Sequence, residues 1–280
     1  MASIAVFGLN LGIEFTGGSL LEVKYQNQAP TLEQVKAQIS ALNLGDVVVQ
    51  ISDDERVILK MKFIDEQQKE EILRNLQMLG EVELGSESFQ VIGSVIGQEL
   101  KNKTIIVIIL ALAGILIYIA ISFRKISRPV KSYVYGFTGV LALCHDIIIP
   151  LGIFAFLGRY FGAEITIPII TALLTVFGYS INDTVVVFDR IRENLLKNKA
   201  DDFNIIIDQS LNQTFARSIN TSFTVLLVLA AVLLFGGSTL RYFSLILFLG
   251  VGFGTYSSIF IASLLVVNIF ERQRKRTIKR

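Results

Sequence analysis

Two acidic residues interrupt long apolar runs of this sequence and are the first candidates for chemistry. Asp183 lies in the polar run 178–184, one to two helical turns before the charged residue Asp189. Asp146 follows His145, the single histidine of the chain, in the middle of another apolar run. Because a charged side chain costs about 2.5 to 3.5 kcal/mol at the centre of a membrane-spanning helix, such residues are functional by default.

Arg217 is the basic residue that the sequence offers to Asp183. It begins the next apolar run, so both residues lie near the same predicted edge of the membrane. The helical repeat predicts two polar faces that meet, one with Arg217, Asn220 or Thr221, and Thr224, the other with Thr175, Tyr179 and Asp183. The functional hypothesis is a proton site in which the Asp183 carboxyl titrates as the Arg217 guanidinium approaches or withdraws. The alternative is a static ion pair that fixes helix packing.

The remaining polar candidates are accessory. Tyr179, Asn182, Asn220 and Thr221 flank the predicted proton pathway. His145 and Asp146 are neighbours on a predicted helix and are not expected to face the same way, so a proton role and a packing role both remain open. A single histidine excludes a multi-histidine metal site, and a metal would need mainly carboxylates. We expect no metal, no cofactor and no catalytic residue.

The apolar runs themselves predict an α-helical polytopic membrane protein. Hydrophobic residues make up 52% of the chain, more than a soluble domain normally carries. Lys and Arg number 26 against 24 Asp and Glu, a balance that does not favour a nucleic-acid partner. Five runs are long enough to cross a bilayer core of about 30 Å. They are 104–122, 132–157, 165–188, 218–235 and 242–270.

Before these runs, residues 9–100 have the pattern of a water-facing α+β domain. Strand alternation is predicted at 19–25, 46–51, 56–61 and 81–91, with a turn at 52–54 between the second and third strands. Helical spacing is predicted at 31–42, behind Thr31 as N-cap, and at 65–79, which Gly80 ends. The order β-α-β-β-α-β predicts a ferredoxin-like layer of two helices on one sheet.

The distribution of basic residues predicts the orientation. Three segments, 124–131, 189–217 and 271–280, carry nearly all the Lys and Arg near the spans, whereas the other two short loops hold only Arg159 and Arg241. Cytoplasmic loops collect basic residues, so the basic tail 271–280 is expected inside and the domain 9–100 outside. Residues 1–8 as a helix would cover only about 12 Å. We therefore expect that they are the remnant of a first span truncated upstream.

Two further features of the predicted bundle 101–270 have structural interpretations. The last run carries Gly250, Gly254, Ser258 and Ala262, each four residues apart, which predicts a face where another helix packs closely. The segment 189–217 is expected to form a charged amphipathic helix along the cytoplasmic interface. Its apolar positions are Ile191, Leu195, Phe203, Ile207 and Leu211.

Several segments resemble the SecF members of the SecD/SecF family, in the larger group of resistance-nodulation-division transporters. The segments that carry the resemblance are 8–18, 91–100, 178–194, 217–222 and 254–258. The resemblance implies an auxiliary, multi-pass subunit of the Sec translocase in the bacterial plasma membrane, with six spans. It also implies SecD and the SecYEG channel as partners, use of the proton gradient to promote translocation and release of a polypeptide substrate, and proton passage at Asp183 and Arg217.

Two other functions remain as alternatives. An intramembrane aspartyl protease would use Asp146 and Asp183 as paired carboxyls that activate water. No motif around either acid supports that reaction, and the two acids are predicted at different depths. A small-molecule exporter of the same superfamily would need a binding pocket in the outer domain, and we expect that domain to be too small for one.

Overall fold

The structure is a computed structural model that describes residues 2–42, 44–45, 47–52, 55–122, 132–197 and 202–278. The helices are α1 (Ala2–Phe7), α2 (Ile13–Thr16), α3 (Leu32–Ser40), α4 (Glu66–Gln77), α5 (Ser94–Ser122), α6 (Ser132–Phe161), α7 (Ile167–Lys197), α8 (Phe203–Phe235), α9 (Ser238–Tyr256) and α10 (Ser263–Ile278). A π-helical segment, Ser257–Ala262, joins α9 to α10. The strands are β1 (Gly18–Lys24), β2 (Val48–Ser52), β3 (Arg56–Met61) and β4 (Ser88–Ile92).

The amino-terminal domain contains one antiparallel sheet in the order β2-β3-β1-β4. Leu21 pairs with Leu59 and Val23 with Val57, and these four buried side chains pack against α3 and α4 on one face of the sheet. The predicted β-α-β-β-α-β order and ferredoxin-like layer are confirmed. In the predicted turn between β2 and β3, residues 53 and 54 lie outside the described residues.

Both domain helices begin at side-chain caps that the sequence encodes. Thr31 accepts a hydrogen bond from the backbone N–H of Gln34, and Asp65 accepts one from that of Gln68 at 2.8 Å. In each case the glutamine side chain returns a contact to the cap's own backbone N–H, which completes a capping box. The caps satisfy amide groups that have no partner within the first helical turn.

Five segments in the described part of the chain are long and apolar enough to cross a membrane, in agreement with the number predicted. They are Ser94–Ser122, Tyr133–Phe161, Ile167–Lys197, Phe203–Phe235 and Leu240–Lys275, the last of which includes α9, the π-helical segment and α10. The centre of the bundle is formed by α6, α7, α9 and the π-helical segment, while α5 leaves most of its apolar surface uncovered. A further span before Gly8 stays a prediction, and α1 packs its Phe7 ring against Phe156 and Tyr160 of α6.

The predicted amphipathic helix over 189–217 is wrong. Residues 189–197 continue α7, and residues 203–217 begin α8, so the segment is the connection between two long helices. Its apolar side chains pack in one cluster rather than along a membrane surface, with Ile191, Phe203 and Ile207 buried. The apolar periodicity of residues 189–217 comes from the packed core of two connected helices. A helix that lies at the membrane interface would have the same periodicity, so the sequence alone does not distinguish the two.

The amino-terminal domain is attached to the bundle at the loop between α6 and α7. Ile165 donates a backbone hydrogen bond to Asn10 at 2.7 Å and accepts one from Gly12 at 2.8 Å, as in a short parallel bridge. On the sheet face opposite the domain core, Lys60 forms an ion pair with Glu164 at 2.7 Å. The side chain of Gln50 donates to the carbonyl of Gly162 at 2.7 Å. The domain therefore contacts the loop that leads directly into α7.

Gly17 and Gly18 form the second junction between domain and bundle. Their φ angles are +75° and +140°, values that residues other than glycine rarely adopt. A Cβ atom at Gly17 would lie 2.8 Å from the Cα of Ser94, the first residue of α5. The two glycines thus allow β1 to begin directly against the start of a membrane helix.

Candidate functional site

Asp183 lies inside the bundle, where α7, α8 and the π-helical segment meet. Its side chain is buried, with 9% of the residue exposed. One carboxyl oxygen accepts a hydrogen bond from the Ser218 hydroxyl of α8 at 2.7 Å, and the other accepts one from Ser258 at 2.6 Å. Both donors are neutral hydroxyls, and in the part of the chain that the structure describes no ion pair involves this carboxyl.

Asp146 lies fully buried on α6 and has a similar set of donors. Ser180 of α7 and Ser257 of the π-helical segment donate to the same carboxyl oxygen, at 2.5 Å and 2.6 Å. The other oxygen lies 3.0 Å from Nδ1 of His145. The expectation that His145 and Asp146 do not face the same way is therefore wrong, because the imidazole lies within hydrogen-bond distance of the carboxyl that follows it in the chain.

The π-helical segment connects the two carboxyls. Ser257 binds Asp146 and Ser258 binds Asp183, so consecutive residues serve two carboxyls on two different helices. The wider turn of a π-helix changes the angle between successive side chains, and such segments occur frequently at functional sites. Residues 257–262 are thereby the element that joins both buried acids.

A third polar contact lies next to Asp183. The Tyr179 hydroxyl is 3.1 Å from the Ser222 hydroxyl, which lies 2.5 Å from that of Thr255. Thr255 also reaches the backbone carbonyl of Val251 at 2.9 Å. These hydroxyls form a chain from α7 through α8 to α9, so the interior of the bundle is polar across three helices.

The structure does not bring the predicted face of α8 to Asp183. Arg217, Asn220, Thr221 and Thr224 are exposed, and no ion pair between Arg217 and Asp183 occurs among the described residues. The face of α8 that meets α7 is displaced by one residue, from the position of Arg217 to that of Ser218. It carries the buried residues Ser210, Thr214, Ser218 and Ser222. On α7, Thr175 and Asn182 are exposed, whereas Tyr179 is half-buried.

Sequence reasoning missed this hydroxyl face although a signal was present. Small hydroxyl residues recur every fourth position from Ser210 to Ser222, the spacing of one helix face. The prediction chose the adjacent face of α8 instead, because Arg217 carries the charge opposite to that of Asp183. Ser257 and Ser180 carried no comparable signal, because the π-helical turn that directs Ser257 towards Asp146 is not visible in the periodicity.

The predicted small-residue face of the last span lies against α7. A Cβ atom at Gly250 would collide with the Val176 side chain, and one at Gly254 would lie 3.2 Å from the Cβ of Ser180. Further along, Ser258 is the donor to Asp183, and Ala262 is fully buried. The two glycines let α9 approach closely enough for the serines that follow to reach both acids.

Arg217 instead lines a cavity at the other end of the bundle from the amino-terminal domain. The cavity has a volume of about 590 Å³ and lies between α5, α7 and α8. Its charged lining residues are Asp189, Arg190, Arg192, Glu193 and Arg217. Thr214, one helical turn before Ser218, also lines it. The cavity therefore reaches to within about one turn of the Asp183 donor.

No group of three or more His, Cys, Asp or Glu side chains with a metal-binding arrangement occurs in the described ranges. The two carboxyls also do not resemble the shared-proton pair of an aspartic protease, in which the acids contact each other directly. Here each acid has its own hydroxyl donors, from different residues. The arrangement therefore gives each buried carboxyl neutral donors rather than a second carboxyl as its contacts.

Five membrane-capable helices in the described part of the chain, with buried, hydroxyl-bound carboxyls and a ferredoxin-like domain joined to them, define a polytopic membrane protein with polar groups in its core. The family model described as protein export membrane protein SecD/SecF, C-terminal, matches residues 69–272, and the SecD/SecF GG-motif model matches residues 2–29. The chain belongs to the SecD/SecF family.

Individual relatives agree with this assignment. Protein translocase subunit SecF of Thermobaculum terrenum is 39% identical over 95% of this chain and 86% of its own length. The subunit of the same name from Sebaldella termitidis is 40% identical over 94% of this chain and 83% of its own. A crystal structure of SecDF from a Thermus species, described as a translocon-associated membrane protein, superposes with a TM-score of 0.83 at 32% identity. That match covers 95% of this chain and 35% of the longer SecDF chain.

Proposed function

We propose that the chain is an auxiliary subunit of the Sec translocase that, with SecD, uses the proton gradient to promote polypeptide translocation and release. The observation that carries the proposal is the Asp183 carboxyl, buried between three helical elements and bound by the hydroxyls of Ser218 and Ser258. The SecF names of the relatives and the SecDF structure support the translocase role. The gradient is coupled through the protonation state of this carboxyl.

Protonation of Asp183 changes the hydrogen bonds that Ser218 and Ser258 can form with it. An ionised carboxylate accepts from both serines, whereas a carboxylic acid must itself donate one hydrogen bond. One of the two serine hydroxyls then has to turn, which changes the contact between α7 and either α8 or the π-helical segment. Moving one charge through the membrane potential supplies about 2.3 kcal/mol per 100 mV. That energy shifts a two-state equilibrium more than tenfold, since about 1.4 kcal/mol is a factor of ten.

Arg217 acts in this proposal at the cavity end of the pathway. Its exposed side chain lines the cavity together with Thr214, one turn from Ser218. A guanidinium there repels a free proton and holds anionic groups, so it limits proton passage to the moments when the cavity rearranges. The positive-inside distribution of basic residues supports a cytoplasmic position for this cavity and for the tail 271–280, and an outer position for residues 9–100.

A partner subunit completes the site by covering polar groups on the outer surface of α7 and α8. Asn182, Asn220, Thr221 and Thr224 are exposed on helices long and apolar enough to span a membrane. Polar side chains within a span face a bundle interior or a neighbouring helix rather than lipid. We assign this face to the SecD subunit, in keeping with the SecDF structure that this chain resembles. The SecYEG channel and the polypeptide substrate complete the assembly.

Contact with SecD is tested by crosslinking in the assembled complex. A benzophenone attached at Thr221→Cys, in a Cys144→Ser background, is expected to capture SecD. The same reagent at Ile109→Cys, on the exposed surface of α5, is the matched control and is expected to capture lipid. Equal capture of SecD at both positions, or none at Thr221→Cys, would remove the support for this face.

The function itself is tested by translocation of a model secretory protein into vesicles that contain SecYEG, SecD and this chain. Asp183→Asn is expected to abolish the part of translocation that depends on the proton gradient and to leave the gradient-independent part unchanged. Asp208→Asn is the matched control, because Asp208 is an exposed carboxyl on α8. Full gradient dependence in the Asp183→Asn vesicles would show that Asp183 is structural.

A further inference from the structure

The buried acid that the proposed mechanism leaves unused is Asp146. None of its surface is exposed, yet its carboxyl accepts from Ser180, Ser257 and the His145 ring. Ser180 donates at 2.5 Å and Ser257 at 2.6 Å, both to the same carboxyl oxygen. An isolated buried charge is costly, so a carboxylate in this position needs either these donors or a proton.

His145 gives this carboxyl a route to the outside of the bundle. The imidazole side chain is 31% exposed, and its Nδ1 atom lies 3.0 Å from Asp146. The ring packs edge-on to Phe253 of α9, which holds it in place. Histidine is the side chain whose charge changes near neutral pH, and its two ring nitrogens can bind a proton on one side and release one on the other.

Apart from His145, the side chains in direct contact with Asp146 are serine hydroxyls. The π-helical segment presents the Ser257 hydroxyl, and α9 presents Gly254, whose missing Cβ would lie 3.6 Å from the Asp146 carboxyl. On α7 the contact is Ser180, and the nearest carboxyl along that helix is Asp183, three positions on. Among the described residues, His145 is therefore the ionisable side chain in direct contact with Asp146.

We propose that His145 and Asp146 form a second proton-binding site, which sets the hydrogen-bond donors presented to Asp183. This inference rests on the proposed function. One proton taken up at the exposed edge of the ring binds Nε2 of His145, and the proton on Nδ1 passes to the facing oxygen of Asp146. The products are a neutral imidazole and a carboxylic acid, so one proton is taken up and one negative charge is removed.

The effect reaches Asp183 through neighbouring serines. A carboxylic acid is a weaker acceptor than a carboxylate, so protonation of Asp146 weakens its bonds to Ser180 and Ser257. Ser257 precedes Ser258, the donor to Asp183, within one π-helical turn. Loosening of this turn from α6 shifts the Ser258 hydroxyl relative to Asp183. Asp146 is thus a positioning residue for the proton site on α7.

The test is the pH profile of gradient-driven translocation, measured at constant gradient in vesicles with the complete assembly. The parent is expected to show two titration steps, and Asp146→Asn only one, with a maximal rate lowered about tenfold, the size of one hydrogen bond to a charged group. His145→Gln keeps a hydrogen-bond donor but does not titrate, and it too is expected to lose one step. Asp208→Asn is the control with the parent profile.

The outcomes separate this inference from the function on which it rests. If Asp146→Asn or His145→Gln keeps both titration steps, the second site is overturned while the function stands. If Asp146→Asn does not fold, the His145→Gln profile alone decides between the two outcomes. If the parent shows no gradient dependence at all, the proposed function fails and this inference fails with it.

Discussion

Buried and partly buried carboxylates have different partners in the amino-terminal domain and in the membrane bundle. In the domain, acids are paired with cations: Glu164 of the adjoining loop binds Lys60 at 2.7 Å, and Glu22 binds Arg56 at 2.5 Å. In the bundle, Asp183 is bound by two serines, and Asp146 by two serines and a histidine. A lysine or arginine keeps its partner ionised over a wide pH range, whereas hydroxyls permit either protonation state.

Ion pairs hold the domain and its junction together, whereas mainly hydroxyl donors hold the bundle carboxyls. The domain contacts the α6–α7 loop through an ion pair and backbone hydrogen bonds, so its position follows that of α7. In the proposed function, a proton on a bundle carboxyl changes which hydroxyls donate to it and so rearranges the helices around it.

Core truncation should separate the two regions most clearly. Leu59→Ala in the sheet is expected to lower the free energy of unfolding by about 3 kcal/mol, since Leu59 is fully buried and loses both its transfer energy and its packing. Leu143→Ala in α6, equally buried, should cost less, because helices that separate within lipid remain in an apolar medium. Hydrogen exchange of the full chain in bilayers measures both, and equal costs would contradict the contrast.

Breaking the ion pair between domain and loop should have the next largest effect. Glu164→Lys is expected to weaken the attachment of the domain by about 2 kcal/mol, between the values for exposed and for fully buried pairs. The side chains are 15% and 12% exposed, so solvent screens the pair only in part. The double variant Lys60→Glu with Glu164→Lys should restore most of the loss. Protection of the Ile165 amide from exchange is the readout, and a failure of the double variant to recover would exclude the pair as the cause.

Removal of a bundle donor should affect function more than stability. Ser258→Ala deletes one hydrogen bond to a charged group, and we expect a loss of about 1.5 kcal/mol in the free energy of unfolding. The carboxyl then keeps Ser218 as its remaining serine donor. Gradient-driven translocation should fall in the same variant, while Ser40→Ala in the domain, an exposed hydroxyl, should change neither. Unchanged translocation in Ser258→Ala would argue against a role for the π-helical segment.

Tyr25 gives the folded domain an alkaline limit. Burial raises the pKa of this phenol from 10.0 to about 12, and its hydroxyl donates to the Leu76 carbonyl at 2.9 Å. A raised pKa in the folded state means that the stability is complete below about pH 10 and is lost as the pH rises towards about 12. Tyr25→Phe should lower the free energy of unfolding by about 1 kcal/mol at neutral pH. It should also make the stability depend less on pH between about 10 and 12. Denaturation midpoints across the window test this, and equal slopes for parent and variant would contradict it.

The sequence was most informative where periodicity and composition act locally. Strand alternation and the Thr31 cap predict the domain fold, because each side chain acts within its own element or its nearest neighbour. The membrane runs are predicted for the same reason, since a helix in lipid must satisfy its own backbone. The prominence of Asp183 followed from the cost of a charge in an apolar run.

The partners of the acids depended on helix rotation and could not be predicted this way. A shift of one residue on α8 exchanges Arg217 for Ser218 at the position that faces Asp183, and periodicity alone does not choose between the two faces. The approach of α9 to α7 depends on Gly250 and Gly254 acting together with the π-helical turn after them. The orientation of Ser257 and Ser258 is therefore a property of packing rather than of local sequence.

The most direct test of the central claim is infrared difference spectroscopy of the parent and Asp183→Asn in bilayers as the pH on each side of the membrane is changed. We predict a carboxylic acid band that appears on acidification in the parent, and whose Asp183 component is absent from the variant. Glu164→Gln is the reference from the ion-paired region and should leave that band unchanged. If the parent and Asp183→Asn give the same carboxyl bands throughout, Asp183 does not exchange a proton, and the bundle acids are as fixed as the paired acids of the domain.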